Sequence, residues 1–268
     1  MHHEENNFIS LQHPIEEAMR NDFKFEVCAN GVESCIAAQQ GGADRVELCA
    51  GIPEGGTTPS YGEIRVARRM LTHTRLHVII RPRGGDFLYS PLEIERMESD
   101  IDIARELGAD GVVFGCLRMD GTIDTDANAR LMEHAKGMST TFHRAFDCCC
   151  DVPSAMEDII SLGFQRILTS GLMPTAEQGI DILKVLNVQA DGRIILLAGC
   201  GVNENNIRRI YQNTDIHEYH FSARKRIPSA MQYINRNVYM GAEGADEYSH
   251  DITSAERVKA TIAAITDI

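Results

Sequence analysis

The chain has 268 residues, and its 26 Lys and Arg against 39 Asp and Glu give a formal charge of −13. An acidic chain of this kind is a poor partner for nucleic acid or for an anionic membrane surface. No apolar run reaches the ~18 residues of a membrane span, and the polar, acidic residues 1–5 are unlike a signal peptide. We therefore expect a cytoplasmic protein with no nucleic-acid or membrane partner.

Short apolar, β-branched runs alternate with amphipathic stretches along the chain. The predicted strands are 23–28, 45–49, 76–82, 111–117, 140–147, 166–170, 193–199 and 218–223. The predicted helices are 32–40, 60–71, 91–107, 125–136, 153–162, 175–186, 204–211 and 253–265. Eight strands alternating with eight helices predict one α/β domain over 1–268, a (β/α)₈ TIM barrel. The rival, a doubly wound open sheet, usually has fewer strands, and no Gly-x-Gly-x-x-Gly follows the first strand.

Two segments lie outside this alternation: an N-terminal extension over 1–22 and a long segment over 225–250. A loop as long as the second is usually a lid, a binding arm or a disordered piece. Its large apolar residues are Met231, Tyr233, Val238, Tyr239 and Met240. We expect this segment to be ordered and to pack across the barrel or onto a second subunit, in a homo-oligomer such as a dimer or tetramer. A floppy surface loop is the alternative.

The pattern Glu-x-Cys occurs twice, as Glu26 with Cys28 and as Glu47 with Cys49, each at the end of a predicted strand. Residues two apart on a strand point to the same face. The two strands are neighbours in a parallel sheet, so two carboxylates and two thiols would gather where such folds place their chemistry. Two thiolates on adjacent strands can bind a soft ion such as Cu(I). Spacing alone does not select copper, and a buried cysteine is also a common small core residue.

The eight cysteines include no Cys-x-x-Cys pair. In a cytosolic chain of this size we expect reduced thiols rather than a disulfide framework. The missing pair also argues against a ribbon-type zinc site.

Polar residues end several other predicted strands. The candidate catalytic residues are Glu26, Glu47, Arg81, His143 and Asp147. The candidate substrate-binding residues are Arg83, Asp86, Arg144, Ser170, Gly199, Gly201 and His220. Arginine forks suit carboxylate or phosphate oxygens, a histidine or carboxylate can move a proton, and a glycine turn after strand seven can hold a phosphate. These residues predict an alternative function, an enzyme of unknown reaction acting on a small anionic metabolite. They would carry no site if the arginines only neutralise the glutamates inside the barrel.

Six blocks of the chain closely resemble the CutC family of copper homeostasis proteins. They are 26–28, 41–49, 54–60, 80–87, 141–147 and 168–171. The resemblance spans about 23–223 and implies a cytoplasmic (β/α)₈ barrel, often oligomeric, with a link to copper and no assigned reaction. It supports Cys28 and Cys49 as the metal ligands, with Cu(I) as the metal.

Three positions depart from the family pattern. Cys148 stands where Met is common, Cys200 lies within the usual glycine run, and Phe221 precedes Ser222 where a small residue or Cys is common. The first change replaces one soft ligand by another, and the bulky Phe221 would narrow that edge of the barrel.

Overall fold

Eight parallel strands close into a barrel in the computed structural model, which describes residues 22–235, 237–241, 244 and 246–266. The strands are β1 (Lys24–Ala29), β2 (Arg45–Leu48), β3 (Arg75–Ile79), β4 (Gly111–Phe114), β5 (Ser139–Phe142), β6 (Arg166–Thr169), β7 (Ile195–Gly199) and β8 (Glu218–Phe221). Each strand pairs with the next, and β8 pairs with β1. This topology confirms the predicted (β/α)₈ barrel and excludes a doubly wound open sheet.

Helices surround the barrel and return the chain from one strand to the next. They are α1 (Val32–Gln40), α2 (Tyr61–Met70), α3 (Pro91–Glu106), α4 (Thr125–His134), α5 (Val152–Ser161), α6 (Ile180–Ala190), α7 (Ile207–Thr214) and α8 (Ala255–Thr266). Ser60 and Ser90 begin α2 and α3 with capping boxes, in which each serine and a glutamate three residues later satisfy each other's backbone N–H groups. These local signals explain why the sequence locates both helix starts within a residue.

The two faces of the strands differ in chemistry. On β1, Phe25, Val27 and Ala29 are fully buried in the apolar layer under the helices. The alternate residues Glu26 and Cys28 point towards the barrel axis, as the period of two requires. The interior is consequently rich in buried polar side chains, whereas an interior of branched aliphatic residues is usual for this fold.

Several predicted boundaries are wrong, including the ends of strands three and four, which lie at Ile79 and Phe114 rather than at 82 and 117. Strand five was expected to continue to residue 147, but β5 ends at Phe142 and a short 3₁₀ turn, Arg144–Cys148, follows. The Asp147 carboxylate is hydrogen-bonded to Thr169 and Ser170 on the next strand, which pulls this turn across the barrel end. Helices α6 and α7 begin at Ile180 and Ile207 rather than near 175 and 204, and both continue beyond their predicted ends.

The long segment before α8 is partly a β-hairpin, which the sequence did not predict. Its ends form β9 (Arg224–Pro228) and β10 (Ser249–Thr253), paired antiparallel outside the barrel. The large apolar side chains between them do not pack across the barrel, since Met231, Tyr233, Val238, Tyr239 and Met240 are 51–89% exposed. Packing onto a second subunit stays a prediction. Most of the predicted N-terminal extension, 1–21, lies outside the described residues.

Candidate metal and ligand site at the barrel mouth

A cavity of about 450 Å³ opens at the C-terminal ends of the strands, and we refer to it as the mouth cavity. One part of the lining, the thiol wall, carries the two thiols with Glu47 and His220, and arginine and histidine side chains line positions beside it. The lining side chains used below are Cys28, Glu47, Cys49, Arg81, Phe87, His143, Arg144, Asp147, Cys148, His220 and Arg224. Among helices of the described residues, we find none with the length and apolar character needed to cross a bilayer.

The two predicted thiols meet in the mouth cavity. Parallel pairing sets Cys28 on β1 opposite Glu47 on β2. Cys49 follows Glu47 by two residues and therefore lies on the same face. The two Sγ atoms are 3.9 Å apart. Cys49 is almost fully buried and Cys28 is half-buried, so the pair is reached from the cavity by way of Cys28. Cys35 and Cys116, in contrast, are buried in the core and do not line the mouth cavity.

His220 joins the thiol wall because β8 closes the barrel against β1. Its Nδ1 lies 2.8 Å from Oε1 of Glu26, and its Nε2 lies 3.6 Å from Oε2 of Glu47. One donor atom from each of Cys28, Glu47 and His220 lies within 4.8 Å of the other two, a spacing that can hold a metal ion. Sequence reasoning placed His220 among the substrate-binding candidates. The sequence did contain a signal for a ligand role. In a closed barrel strand eight is the neighbour of strand one, and His220 is at a position of strand eight that faces the barrel axis, as Glu26 and Cys28 do on strand one.

The thiol wall favours one thiolate and one thiol. The hydrogen bond from Cys49 holds the pKa of Cys28 well below its usual range, and His220 and Arg224 add to this effect against the cost of burial. Nη2 of Arg224 lies 3.3 Å from the Cys28 sulfur. The same bond to Cys28, together with burial, raises the pKa of Cys49. Cys28 is therefore the thiolate, and Cys49 donates its proton to it.

The pKa values of both neighbours of the Cys28 sulfur are raised, which favours a neutral Glu47 and a charged His220. Burial raises the pKa of Glu47 to about 8, and the Cys28 thiolate contributes to this rise. Burial disfavours the charged form of His220, yet hydrogen bonds to Cys28 and Glu26 raise its pKa well above the usual value. These shifts favour the thiolate of Cys28, the protonated carboxyl group of Glu47 and the imidazolium of His220.

Glu26 lies deeper in the barrel than the mouth cavity. It is fully buried, it is bonded to Nε of Arg45, and Arg45 also donates to Glu218 at 2.9 Å. Burial disfavours its charge, but Arg45 and His220 hold the pKa of Glu26 well below its usual range. Glu26 thus holds His220 through a hydrogen bond on the side of the ring that faces away from the mouth cavity. Its predicted catalytic role stays a prediction.

Arg81 follows β3, the neighbour of β2, and lines the mouth cavity beside the thiol pair. It is 4% exposed, and it donates to the main-chain carbonyls of Glu54, Gly56 and Gly85 at 2.7–2.8 Å. Gly55 and Gly56 lie between this guanidinium and Cys49. A Cβ on Gly55 would come within 3.3 Å of Arg81 Nη1, and one on Gly56 within 3.6 Å of Cys49 Sγ. This close approach, and the positive φ of both residues, explain the glycine pair in the sequence.

His143 lies beside Arg81 and is held as a neutral ring. Burial, with the charge of Arg81, lowers the pKa of His143 to about 3. Its Nδ1 accepts a hydrogen bond from the Ala145 N–H at 3.3 Å, which assigns the proton to Nε2, a buried atom without a partner. The ring of Phe87 packs on both residues, 4.8 Å from the His143 ring and 5.0 Å from the Arg81 guanidinium carbon.

Arg144 and Asp147 form a satisfied pair at the rim. Nε of Arg144 lies 2.7 Å from Asp147, and its Nη2 donates to Ser170 Oγ at 2.9 Å. The oxygens of Asp147 also accept from Thr169 Oγ1 and from the Ser170 backbone N–H. This network places Arg144 and Cys148 at the cavity, and it leaves Asp147 little capacity to act on a ligand.

The remaining predicted residues fall in three places. Arg83 and Asp86 pair with each other at 2.9 Å, Arg83 also pairs with Glu93, and neither Arg83 nor Asp86 is among the cavity-lining residues. Gly199 is required for packing, because a Cβ there would come within 2.5 Å of the Leu168 side chain. Gly201 lines the mouth cavity with a φ of 76°. The residues that sequence reasoning missed are Arg224 and Phe87, both in connecting segments.

The fold and the site together define a class, namely (β/α)₈ barrels with a thiol and imidazole cluster at the mouth. Within that class the chain belongs to the CutC family, whose model matches residues 23–225. The chain is 65% identical over 244 residues to a CutC family protein of Bacteroides thetaiotaomicron, covering 91% of this chain and 98% of that protein. It is 45% identical over 240 residues to the human protein named copper homeostasis protein cutC homolog, covering 89% and 88%.

Solved structures agree with this assignment. The crystal structure of CutC from Streptococcus agalactiae superposes with a TM-score of 0.71 at 36% identity, covering 75% of this chain and 98% of that one. A thiamine phosphate pyrophosphorylase from Pyrococcus furiosus reaches a TM-score of 0.57 at 17% identity, covering 92% and 98%. The second likeness shows a shared fold alone.

Proposed function

We propose that this protein binds Cu(I) through Cys28 and Cys49 and acts in copper homeostasis. The observation that carries the proposal is the 3.9 Å separation of the two sulfur atoms. Thiolates are the ligands that select soft ions such as Cu(I). The human relative, named for copper homeostasis, supports the same reading.

The geometry supports a bent metal site with a further ligand. Two collinear metal–sulfur bonds of about 2.3 Å would need sulfurs roughly 4.6 Å apart. At 3.9 Å the two bonds would meet at an angle, which leaves room for a third donor on the open side. His220 and Glu47 are the groups within reach of Cys28. Such a mixed set of sulfur, nitrogen and oxygen donors also suits Zn²⁺, so the metal has to be tested rather than assumed.

The cellular compartment and the assembly belong to this proposal. We place the protein in the reducing cytoplasm, since all eight cysteines are free thiols. We also propose a homo-oligomer in which the exposed apolar side chains of the hairpin segment meet a second copy. A change of Tyr239→Asp should then reduce the molecular mass measured by light scattering, and an unchanged mass would contradict this interface.

A competition titration tests the metal proposal. The reduced protein is titrated with Cu(I), and in parallel with Zn²⁺, against a chromophoric chelator. We expect one tightly bound Cu(I) per chain, with affinity lost in a Cys28→Ser, Cys49→Ser double variant. A Cys149→Ser, Cys150→Ser variant removes the same number of thiols outside the mouth cavity and should bind normally. Equal affinities of the two double variants would refute the ligand assignment, and a preference for Zn²⁺ would refute copper.

A second candidate function is an enzyme acting on a small anionic metabolite. The observation in its favour is the 450 Å³ volume of the mouth cavity, which is far larger than one ion needs and within the range of small-molecule sites. Glu47 lines that cavity and is the carboxyl group placed to exchange a proton there. Incubation with a defined metabolite mixture, followed by mass spectrometry, should show a compound consumed by the wild type and spared by Glu47→Gln. No consumption by the wild type would contradict this candidate.

A further inference from the structure

Three arginines line the mouth cavity, and two of them lack a carboxylate partner. Arg144 is paired with Asp147 at 2.7 Å. Arg81 and Arg224 have no carboxylate oxygen within 4.0 Å in the described part of the chain. Half-buried Arg224 has the Cys28 sulfur at 3.3 Å as an anionic partner, whereas Arg81 is buried and has no such partner among the described residues. A buried charge without a counter-charge is costly, and it is retained where a ligand supplies the missing charge.

The contacts of these two arginines leave the same atom unsatisfied. Arg81 donates from Nη1 and Nη2 to main-chain carbonyls, and Arg224 donates from Nη2 to the sulfur of Cys28. In each residue Nε is buried and has no hydrogen-bond acceptor. Because both Nε atoms are closed to solvent, a ligand in the mouth cavity would be held by the charge and the remaining Nη hydrogens of each guanidinium rather than by Nε.

The arginines two residues further along show that this is specific to the cavity. Arg83 is paired with Asp86 at 2.9 Å and with Glu93 at 2.7 Å. Arg226 is paired with Asp246 at 2.9 Å and with Asp251 at 3.8 Å. The chain has 39 acidic residues. Carboxylates nevertheless pair with Arg83 and Arg226 and not, among the described residues, with Arg81 and Arg224, which line the mouth cavity.

We propose that the mouth cavity binds a small organic anion, a carboxylate or a phosphate, through Arg81 and Arg224. Arginine forks match the planar or tetrahedral oxygens of these groups. The 450 Å³ cavity has room for a molecule of metabolite size beside the thiol pair. The inference names a ligand class for the second candidate function, but it requires neither a reaction nor a bound metal.

Each arginine also has a structural task, which the test must separate from binding. Arg81 ties three carbonyls of the loops over β2 and β3 together, and Arg224 supports the Cys28 thiolate. These tasks explain where the two guanidinium groups lie. The carbonyl contacts do not explain why the charge of Arg81 has no carboxylate within 4.0 Å among the described residues, because a neutral donor would bond the same carbonyls.

Isothermal titration calorimetry on the metal-free, reduced full-length chain tests the inference. The probes are malonate and inorganic phosphate at constant ionic strength, with sodium chloride as the reference. We expect saturable binding of at least one probe at one site per chain. Arg81→Gln and Arg224→Gln should each weaken it at least tenfold, whereas Arg83→Gln and Arg226→Gln should stay within twofold of the wild type.

The possible outcomes either identify the class of anion that binds or overturn the inference. Binding of malonate alone assigns a carboxylate, binding of phosphate alone assigns a phosphate monoester, and binding of both assigns the shared oxyanion chemistry. Absence of saturable binding to the wild type overturns the inference, as do equal affinities within the matched arginine pairs. If circular dichroism shows that Arg81→Gln does not fold, Arg224→Gln decides, because its side chain holds no main-chain carbonyl. Since no metal is present, a negative result leaves the Cu(I) proposal standing.

Discussion

Buried arginines at the two ends of the barrel interior have different hydrogen-bond partners. At the N-terminal end, Arg45 is 5% exposed and lies between two carboxylates, Glu26 and Glu218, while Arg166 donates to Glu218 at 3.0 Å. At the mouth, Arg81 is equally buried, at 4%, and bonds to main-chain carbonyls. The first arrangement closes a charge network within the protein, and the second leaves a charge available to a ligand. Burial of an arginine alone therefore does not distinguish a core from a site, whereas its partners do.

The largest expected effect comes from breaking the closed network. Arg45→Met leaves Glu26 and Glu218 buried without their shared cation, and removing one partner of a buried ion pair costs about 3–5 kcal/mol. Urea denaturation should show this loss in the free energy of unfolding. Arg193→Met removes an arginine from a surface pair with Glu157 and serves as the control, with no measurable change expected. Equal stability of the two variants would show that the network is not closed as described.

Acid should destabilise both ends through their buried histidines. Burial lowers the pKa of His77 at the N-terminal end and of His143 at the mouth to about 3. As the pH falls below the unfolded-state histidine pKa of about 6.5, these histidines become protonated in the unfolded chain but stay neutral in the folded chain. Stability is then lost by about 1.4 kcal/mol per pH unit for each histidine.

Denaturation at pH 6.5, 6.0, 5.5 and 5.0 measures this loss. His143→Asn, which keeps an acceptor for the Ala145 N–H, should give a shallower slope than the wild type. His220 adds little slope in the lower part of this window, because its raised pKa keeps the folded state protonated and the unfolded histidine is itself mostly protonated well below pH 6.5. Glu47, whose pKa is raised to about 8, contributes a slope of opposite sign in this window, so the comparison with the variant is decisive. A slope that His143→Asn leaves unchanged would contradict a neutral buried His143.

The smallest effect concerns thiol reactivity at the mouth. Thiolates are the reactive form, and Cys28 is the thiolate of its pair, whereas burial raises the pKa of the more exposed Cys148. Iodoacetamide at pH 6 should therefore label Cys28 faster than Cys148, as followed by peptide mass spectrometry. Cys49→Ala removes the main stabilising hydrogen bond and should slow the labelling of Cys28 about tenfold for each pKa unit recovered. Faster labelling of Cys148 would mean that exposure, rather than charge, controls this site.

The sequence predicted the barrel because its signals are local. The alternation of β-branched runs with amphipathic stretches acts over a few residues, and it located all eight strands. The paired Glu-x-Cys pattern likewise predicted that Cys28 and Cys49 meet, because two adjacent parallel strands fix their separation. Strand five was misjudged beyond Phe142, since the bonds from Asp147 to Thr169 and Ser170 depend on the next strand.

Much of the mouth could not be predicted from local pattern. His220 faces Glu26 because the barrel closes, and Arg224 reaches Cys28 because it follows the end of β8, the neighbour of β1, by three residues. The carbonyl contacts of Arg81 depend on loop conformations around Gly56 and Gly85 that no periodicity encodes. The sequence therefore named most of the charged residues at the mouth but could not tell which of them lack a partner.

The central claim is that Cys28 and Cys49 hold one copper ion at the mouth. X-ray absorption at the copper edge, on protein loaded with one equivalent of Cu(I), tests it most directly. The account predicts two sulfur neighbours at about 2.3 Å, the length of a metal–thiolate bond, and their loss in the Cys28→Ser, Cys49→Ser variant. A copper shell of nitrogen and oxygen alone, or a sulfur shell that persists in that variant, would contradict it.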